Sequence, residues 1–135
     1  MNRFQAILTN FSAQDSILRL HLLCDSLESQ MLSALLLEDS AFLEPFLGKT
    51  LEIGFKENNV VVGLELKGLH NVFKSEIAQI QTDTLFARLV LKATKEISNY
   101  TITALCPLDF ITQNTLKIGD CIQWHIPENS VMLYL

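Results

Sequence analysis

The sequence repeats itself. Laid over each other, the two halves of the 135-residue chain keep their apolar and polar positions with two single-residue gaps. Phe4 falls on Phe73, and Arg19-Leu20-His21-Leu22 falls on Arg88-Leu89-Val90-Leu91. One extra residue in the second copy brings Leu32-Ser33-Ala34-Leu35 onto Ile102-Thr103-Ala104-Leu105 and Asp39 onto Asp109. Another brings Gly48 onto Gly119. The closing segment Phe55-Lys56-Glu57-Asn58-Asn59-Val60 then meets Ile126-Pro127-Glu128-Asn129-Ser130-Val131. Alternating Leu and Val occur in any β protein, so the weight rests on the shared Gly, Asp, Arg and Glu-Asn positions. We read residues 1–66 and 67–135 as two copies of one unit, with Leu64 and Leu135 as matching last residues. A unit of about 65 residues lies near the lower limit for folding alone, so the copies gain by packing on each other or on another chain.

Within a unit the pattern predicts strand, strand, strand, helical turn, strand, strand. Leu18, Leu20 and Leu22 alternate with other residues, as do Ala87, Leu89 and Leu91. Leu51, Ile53 and Phe55 repeat the pattern, as do Ile122, Trp124 and Ile126. Period two of this length marks strands with one buried face. Residues 38–46 and 109–116 read as short helices before the fourth strand, with Gly48 and Gly119 turning the chain after them. Asn58-Asn59 and Asn129-Ser130 read as tight hairpins between strands four and five, since Asn tolerates positive φ. The expected fold is all-β: two tandem five-stranded OB-like barrels, each with a short helix before its fourth strand.

Composition excludes more than it assigns. With 49% hydrophobic and 19% charged residues the chain can bury a core. No apolar run reaches the ~18 residues that span a bilayer, so no membrane partner is expected. Met1-Asn2-Arg3-Phe4-Gln5 does not open a signal peptide. Cys24, Cys106 and Cys121 are odd in number and have no CxxC spacing, which fits reduced cytosolic thiols. Cys106 and Cys121 read as small buried residues, Trp124 as core. The expected localisation is cytoplasmic. Net charge is −5, and residues 1–66 carry four basic against nine acidic side chains, which weighs against nucleic acid. There is no nucleophile-base-acid set, no HExxH and no glycine-rich phosphate loop, so the chain reads as no enzyme. The repeated Arg19 and Arg88 suggest a shared structural role on the second strand.

The residues resemble the Mop/TOBE family: small molybdate-binding proteins, the C-terminal part of the molybdate-responsive regulator, and the tail of some transporter ATPases. Carrying the resemblance are Leu69-His70-Asn71-Val72-Phe73-Lys74-Ser75, Thr103-Ala104-Leu105-Cys106-Pro107, Leu116-Lys117-Ile118-Gly119-Asp120 and Phe55-Lys56-Glu57-Asn58-Asn59-Val60. They span nearly the whole chain. The resemblance implies binding of a small oxyanion, molybdate or tungstate, at contacts between units and with no metal-ion cofactor. It also implies a homo-oligomer, dimer or trimer, serving molybdenum storage, homeostasis or transport regulation. Asn71 matches the opening Asn of the family, and His70 stands where the family has Arg. Lys56 matches the closing Lys, and Asn58 and Asn59 replace small hydroxylic residues. Ser130 matches in the second copy, where Pro127 replaces the Lys. The implied oxyanion-binding set is therefore Lys56, Asn58, Asn59, His70, Asn71 and Ser130. Taken without the resemblance, Lys56 is a solvated turn residue and Asn58-Asn59 is turn chemistry. The alternative is an interaction or oligomerisation module whose ligand sites have decayed and which contacts a molybdate transporter or regulator.

Overall fold

A computed structural model describes residues 1–27, 30–94 and 99–135. The first repeat supplies β1 (Asn2–Gln14), β2 (Ile17–Cys24), β3 (Gln30–Leu36), β4 (Thr50–Phe55) and β5 (Val61–Gly63). The second supplies β6 (Val72–Thr82), β7 (Phe86–Ala93), β8 (Thr101–Pro107), α1 (Leu108–Gln113), β9 (Cys121–His125) and β10 (Met132–Tyr134). The described residues form two five-stranded antiparallel sheets, ordered β10-β4-β1-β2-β3 and β5-β9-β6-β7-β8. None of their helices is long and apolar enough to cross a membrane.

The alternation read from the sequence is the alternation that packs. Leu20, Leu22, Leu89, Leu91, Ile53 and Trp124 are all fully buried. The same irregularity also recurs in both repeats. The β1–β2 register shifts between Leu8 and Asn10, and the β6–β7 register between Ile77 and Gln79. At each bulge the chain returns to the glycine turn. Gly48 N–H donates to the Leu8 carbonyl at 2.8 Å, and Gly119 N–H to that of Ile77 at 2.9 Å. Gly48 and Gly119 have φ of 78° and 99°, a backbone state that a Cβ would strain.

The last strand of each repeat belongs to the other sheet. Val61, Val62 and Gly63 pair with His125, Trp124 and Gln123, while Met132, Leu133 and Tyr134 pair with Gly54, Ile53 and Glu52. This corrects the hairpin expectation at Asn58-Asn59 and Asn129-Ser130. Both stretches form 3-10 turns, Glu57–Asn59 and Glu128–Ser130, and neither has positive φ at its asparagine. A 3-10 turn rises along its axis, so it carries the chain across instead of folding it back. The first turn packs on β8 and the second on β3, so each sheet's free edge meets the turn that arrives from the other side.

The predicted helices differ between the repeats. Residues 38–46 form two 3-10 turns, Ser40–Phe42 and Glu44–Phe46, where one helix is expected. Pro45 has no N–H to give to the Ala41 carbonyl, so an α-helical turn cannot close there. Nothing interrupts α1, which forms as one helix over a shorter span than 109–116.

One core serves both sheets. Phe4 stacks on Phe55, Phe55 on Trp124 and Trp124 on Phe73, with ring centroids 5.8, 5.8 and 4.6 Å apart. The row starts on β1 and β4 and ends on β9 and β6. The Trp124 indole N–H donates to the Ser75 hydroxyl at 2.8 Å, which in turn lies 2.6 Å from the Tyr100 hydroxyl.

Candidate functional site

Two polar clusters sit where the exchanged turns meet the opposite repeat. Their residues correspond one for one across the duplication. In the first cluster the Asn2 carboxamide grips Thr103: its oxygen accepts from Thr103 N–H at 2.8 Å and its nitrogen donates to the Thr103 carbonyl at 2.9 Å. In the second, the Asn71 oxygen accepts from Ser33 N–H at 2.8 Å. Its nitrogen donates to the carbonyls of Ser33 and Ile126 at 2.8 and 3.0 Å. Each buried carboxamide thus acts as a peptide unit laid against the edge of β8 or β3. A strand edge in the interior needs such a partner, because unpaired backbone groups there are costly.

Beside each carboxamide an arginine reaches a glutamate of the opposite repeat. Arg19 Nε and Nη2 donate to the two carboxylate oxygens of Glu128 at 3.0 and 3.2 Å. Arg88 Nε and Nη2 both reach Glu57 Oε2 at 3.2 Å, and the Thr103 hydroxyl donates to the same oxygen at 2.9 Å. The shared structural role expected for Arg19 and Arg88 is this anchoring of the closing turns. The Thr103 hydroxyl, with the Arg88 guanidinium behind it, holds the Glu57 carboxyl below its usual value of 4.5 against partial burial.

A depressed carboxyl pKa in the fold means that the ionised form stabilises it. That stabilisation is complete above the unfolded value near 4.5 and is lost as pH falls through the lower folded value. Glu57→Gln is therefore expected to flatten the acid limb of the stability curve below about pH 4.5, measured as the difference in urea midpoint from the wild type. Equal acid slopes in both proteins would refute this. The comparison must be a difference, because backbone N–H groups of Phe86 and Leu85 lower the Asp83 carboxyl in the same direction.

The sequence-predicted residues divide between the clusters. Lys56, Asn58 and Asn59 belong to the first closing turn, where Lys56 and Asn58 are exposed and Asn59 is half-buried. Asn59 N–H closes the turn onto the Lys56 carbonyl at 3.0 Å. His70, Asn71 and Ser130 belong to the second. His70 is exposed, with its carbonyl 2.7 Å from His125 Nδ1, and Ser130 is half-buried at the end of its turn. Asn71 is engaged with the backbone of the first repeat. It is 7% exposed, and its nitrogen is already donating to two backbone carbonyls. A cavity of about 520 Å³ lies elsewhere, lined by Arg3, Phe4, Thr50 and Tyr100, and touches none of these residues. We place the candidate chemistry at the turns, because the cavity brings Arg3 already stacked on Tyr134 and paired with Glu52.

The charge balance separates the two turns. Glu57 pairs with Arg88, and among the described residues Lys56 has no ion pair on its exposed turn. Glu128 is matched by Arg19, and Pro127 stands where the lysine would be, so no surplus remains.

Among solved structures, the cytoplasmic molybdate-binding protein ModG, crystallised with molybdate bound, matches 98% of this chain and 94% of its own. The TM-score is 0.85 at 19% sequence identity. The chain has the ModG fold. No family model matches the sequence, and no curated protein does. The two clusters also hold Asn2, Ser33, Thr103, Glu57 and Glu128, none of them in the set that the resemblance implies. Their signal was present, since the duplication keeps a polar residue at each matched position.

The thiols divide as well. Cys24 and Cys106 are buried, and burial pushes the Cys24 thiol up to about 12, with Asp25 adding to the shift. Cys121 is exposed, contrary to expectation. It lies at the first position of β9, outside the inward-facing set Ile122, Trp124 and Ile126.

Proposed function

We propose that the protein is a cytoplasmic binder of tetrahedral oxyanions, molybdate or tungstate, acting in molybdenum storage, homeostasis or transport regulation. The observation that carries the reading is the fold shared with molybdate-bound ModG over almost the full length of both chains. In this reading each repeat is an OB-like barrel completed by a strand from the other, with repeats at 1–66 and 67–135.

The primary site is assigned to the first closing turn. Lys56 supplies the charge there, and Asn58 and Asn59 supply neutral donors. A dianion favours charge-assisted hydrogen bonds, and this turn has the unmatched cation. His70 and Ser130 form a weaker counterpart at the second turn, and Asn71 serves as its scaffold. Small anion sites on open turns are completed by a neighbouring surface. Exposed apolar residues matched between the repeats support assembly into dimers or trimers: Ile17 with Phe86, Leu47 with Ile118, and Leu64 with Leu135.

Isothermal titration with sodium molybdate, tungstate and sulfate tests the reading. Heat with the first two is expected, and Lys56→Ala is expected to weaken binding at least about tenfold, or roughly 1.4 kcal/mol. Binding that is indifferent to Lys56→Ala would move the site elsewhere.

A second reading has its own observation. Pro127 removes the lysine and a backbone donor from one turn, and the Asn71 carboxamide is fully engaged. Both fit an interaction module with decayed sites, one that contacts a transporter or regulator. No heat with either metal oxyanion at millimolar concentration would leave that reading standing.

A further inference from the structure

We infer that Arg88, a residue of the second repeat, is the positioning residue for the oxyanion turn of the first. The inference rests on the oxyanion reading above and adds how that site is held in shape. The first closing turn is fixed at both ends by apolar burial: Phe55 before it is fully buried, and Val60 after it is 3% exposed. Between those ends, Lys56 and Asn58 face solvent. Two backbone bonds of 3.0 and 3.4 Å close the turn on itself, and neither ties it to the rest of the protein. The tie is the Glu57 side chain. It reaches Arg88 on β7 and Thr103 on β8, and Thr103 is itself held by Asn2 through both backbone groups.

The residues flanking Glu57 are those assigned to the anion, so an unanchored Glu57 carboxylate would act on the site in two ways. The turn would lose its fixed orientation. The carboxylate would also become an unmatched negative charge between Lys56 and Asn58. Arg88 prevents both, without lying in the turn it serves.

The duplication supplies a control within the same molecule. Arg19 makes the equivalent pair with Glu128; the arginines are similarly exposed, 44% and 48%, while Glu128 is more buried than Glu57, 13% against 30%. Its turn follows Pro127 and carries no surplus charge. A purely structural role predicts the same consequences from either arginine. A positioning role predicts that only Arg88 matters for the tighter site.

The experiment uses the full chain, with Arg88→Met and Arg19→Met, titrated calorimetrically with sodium molybdate and followed by amide exchange. Arg88→Met is expected to weaken the tighter binding step about tenfold and to speed exchange at the Asn59 and Val60 amides. Arg19→Met is expected to leave both unchanged, although it strands the more buried of the two carboxylates. The pair swap Glu57→Arg with Arg88→Glu is expected to return slow exchange at those amides. Equal binding losses in the two single variants, or unchanged exchange in Arg88→Met, would overturn the positioning role and leave oxyanion binding intact. No molybdate binding by the wild type would overturn both.

Discussion

Trp124→Ala is expected to cost about 3–5 kcal/mol of folding stability, read from urea denaturation. The side chain is fully buried and bridges the rings of Phe55 and Phe73, so its removal opens a void between the two sheets. It also withdraws the indole donor from Ser75, which is itself fully buried. A loss of that size is about a fifth or more of the total stability of a typical domain, about 5–15 kcal/mol. Because the aromatic row joins β1 and β4 to β6 and β9, one cooperative transition is expected, shifted as a whole. Trp124→Phe keeps an aromatic ring in the row but removes the indole donor and part of the ring volume, for a smaller cost of about 1–3 kcal/mol. A loss below about 1 kcal/mol for the alanine variant, or a transition confined to one repeat, would contradict a shared core. The first repeat holds Ile53 and Ala6 where the second has Trp124 and Ser75, and all four are buried. The copies have reached the same packing with different chemistry.

How far the sequence could be read follows from what each signal depends on. Strands were legible because burial imposes period two locally, and Leu18, Leu20 and Leu22 carry it without interruption. The strand exchange was not legible. Val61–Gly63 is three residues long, and a hairpin and a crossover ask for the same polar turn before it. Which sheet receives that strand depends on the partner edge, a long-range fact that no window of sequence holds. Asp15 and Ser16, at the β1–β2 hairpin, adopt φ of 51° and 66° without a glycine, so the usual hairpin signal was missing. Residues 38–46 read as one helix, and Pro45 lies where the structure has two 3-10 turns instead. For the candidate site, residue types were legible and their grouping was not. Asn2 with Asn71, Ser33 with Thr103, Arg19 with Arg88 and Glu57 with Glu128 are polar pairs kept in both copies. Paired retention of this kind signals groups that contact each other, and the structure joins them across the repeats.

Asn71→Leu is expected to lower stability by about 3 kcal/mol, with no anion present. The substitution keeps the branching of the side chain, with bulkier methyl groups, but leaves the Ser33 N–H and the Ser33 and Ile126 carbonyls without their carboxamide partner. Each buried backbone group so orphaned costs about 1–3 kcal/mol, less whatever water can enter. Asn2→Leu removes the equivalent clamp but frees two backbone groups, both of Thr103, so its loss should be smaller. Asn71 also has φ of 58°, a state that asparagine tolerates better than leucine, which widens the difference in the same direction. The order therefore follows from counting backbone partners, and urea midpoints of the two variants and the wild type decide it. If Asn71 were a ligand and nothing more, its loss would cost the unliganded protein only the strain of leucine at positive φ, about 1–2 kcal/mol. A large loss in anion-free buffer, greater for Asn71 than for Asn2, is the result that a strand-edge clamp requires. It also explains how the two halves of the chain hold together, with each lending the other a strand, an arginine, a glutamate and one buried carboxamide.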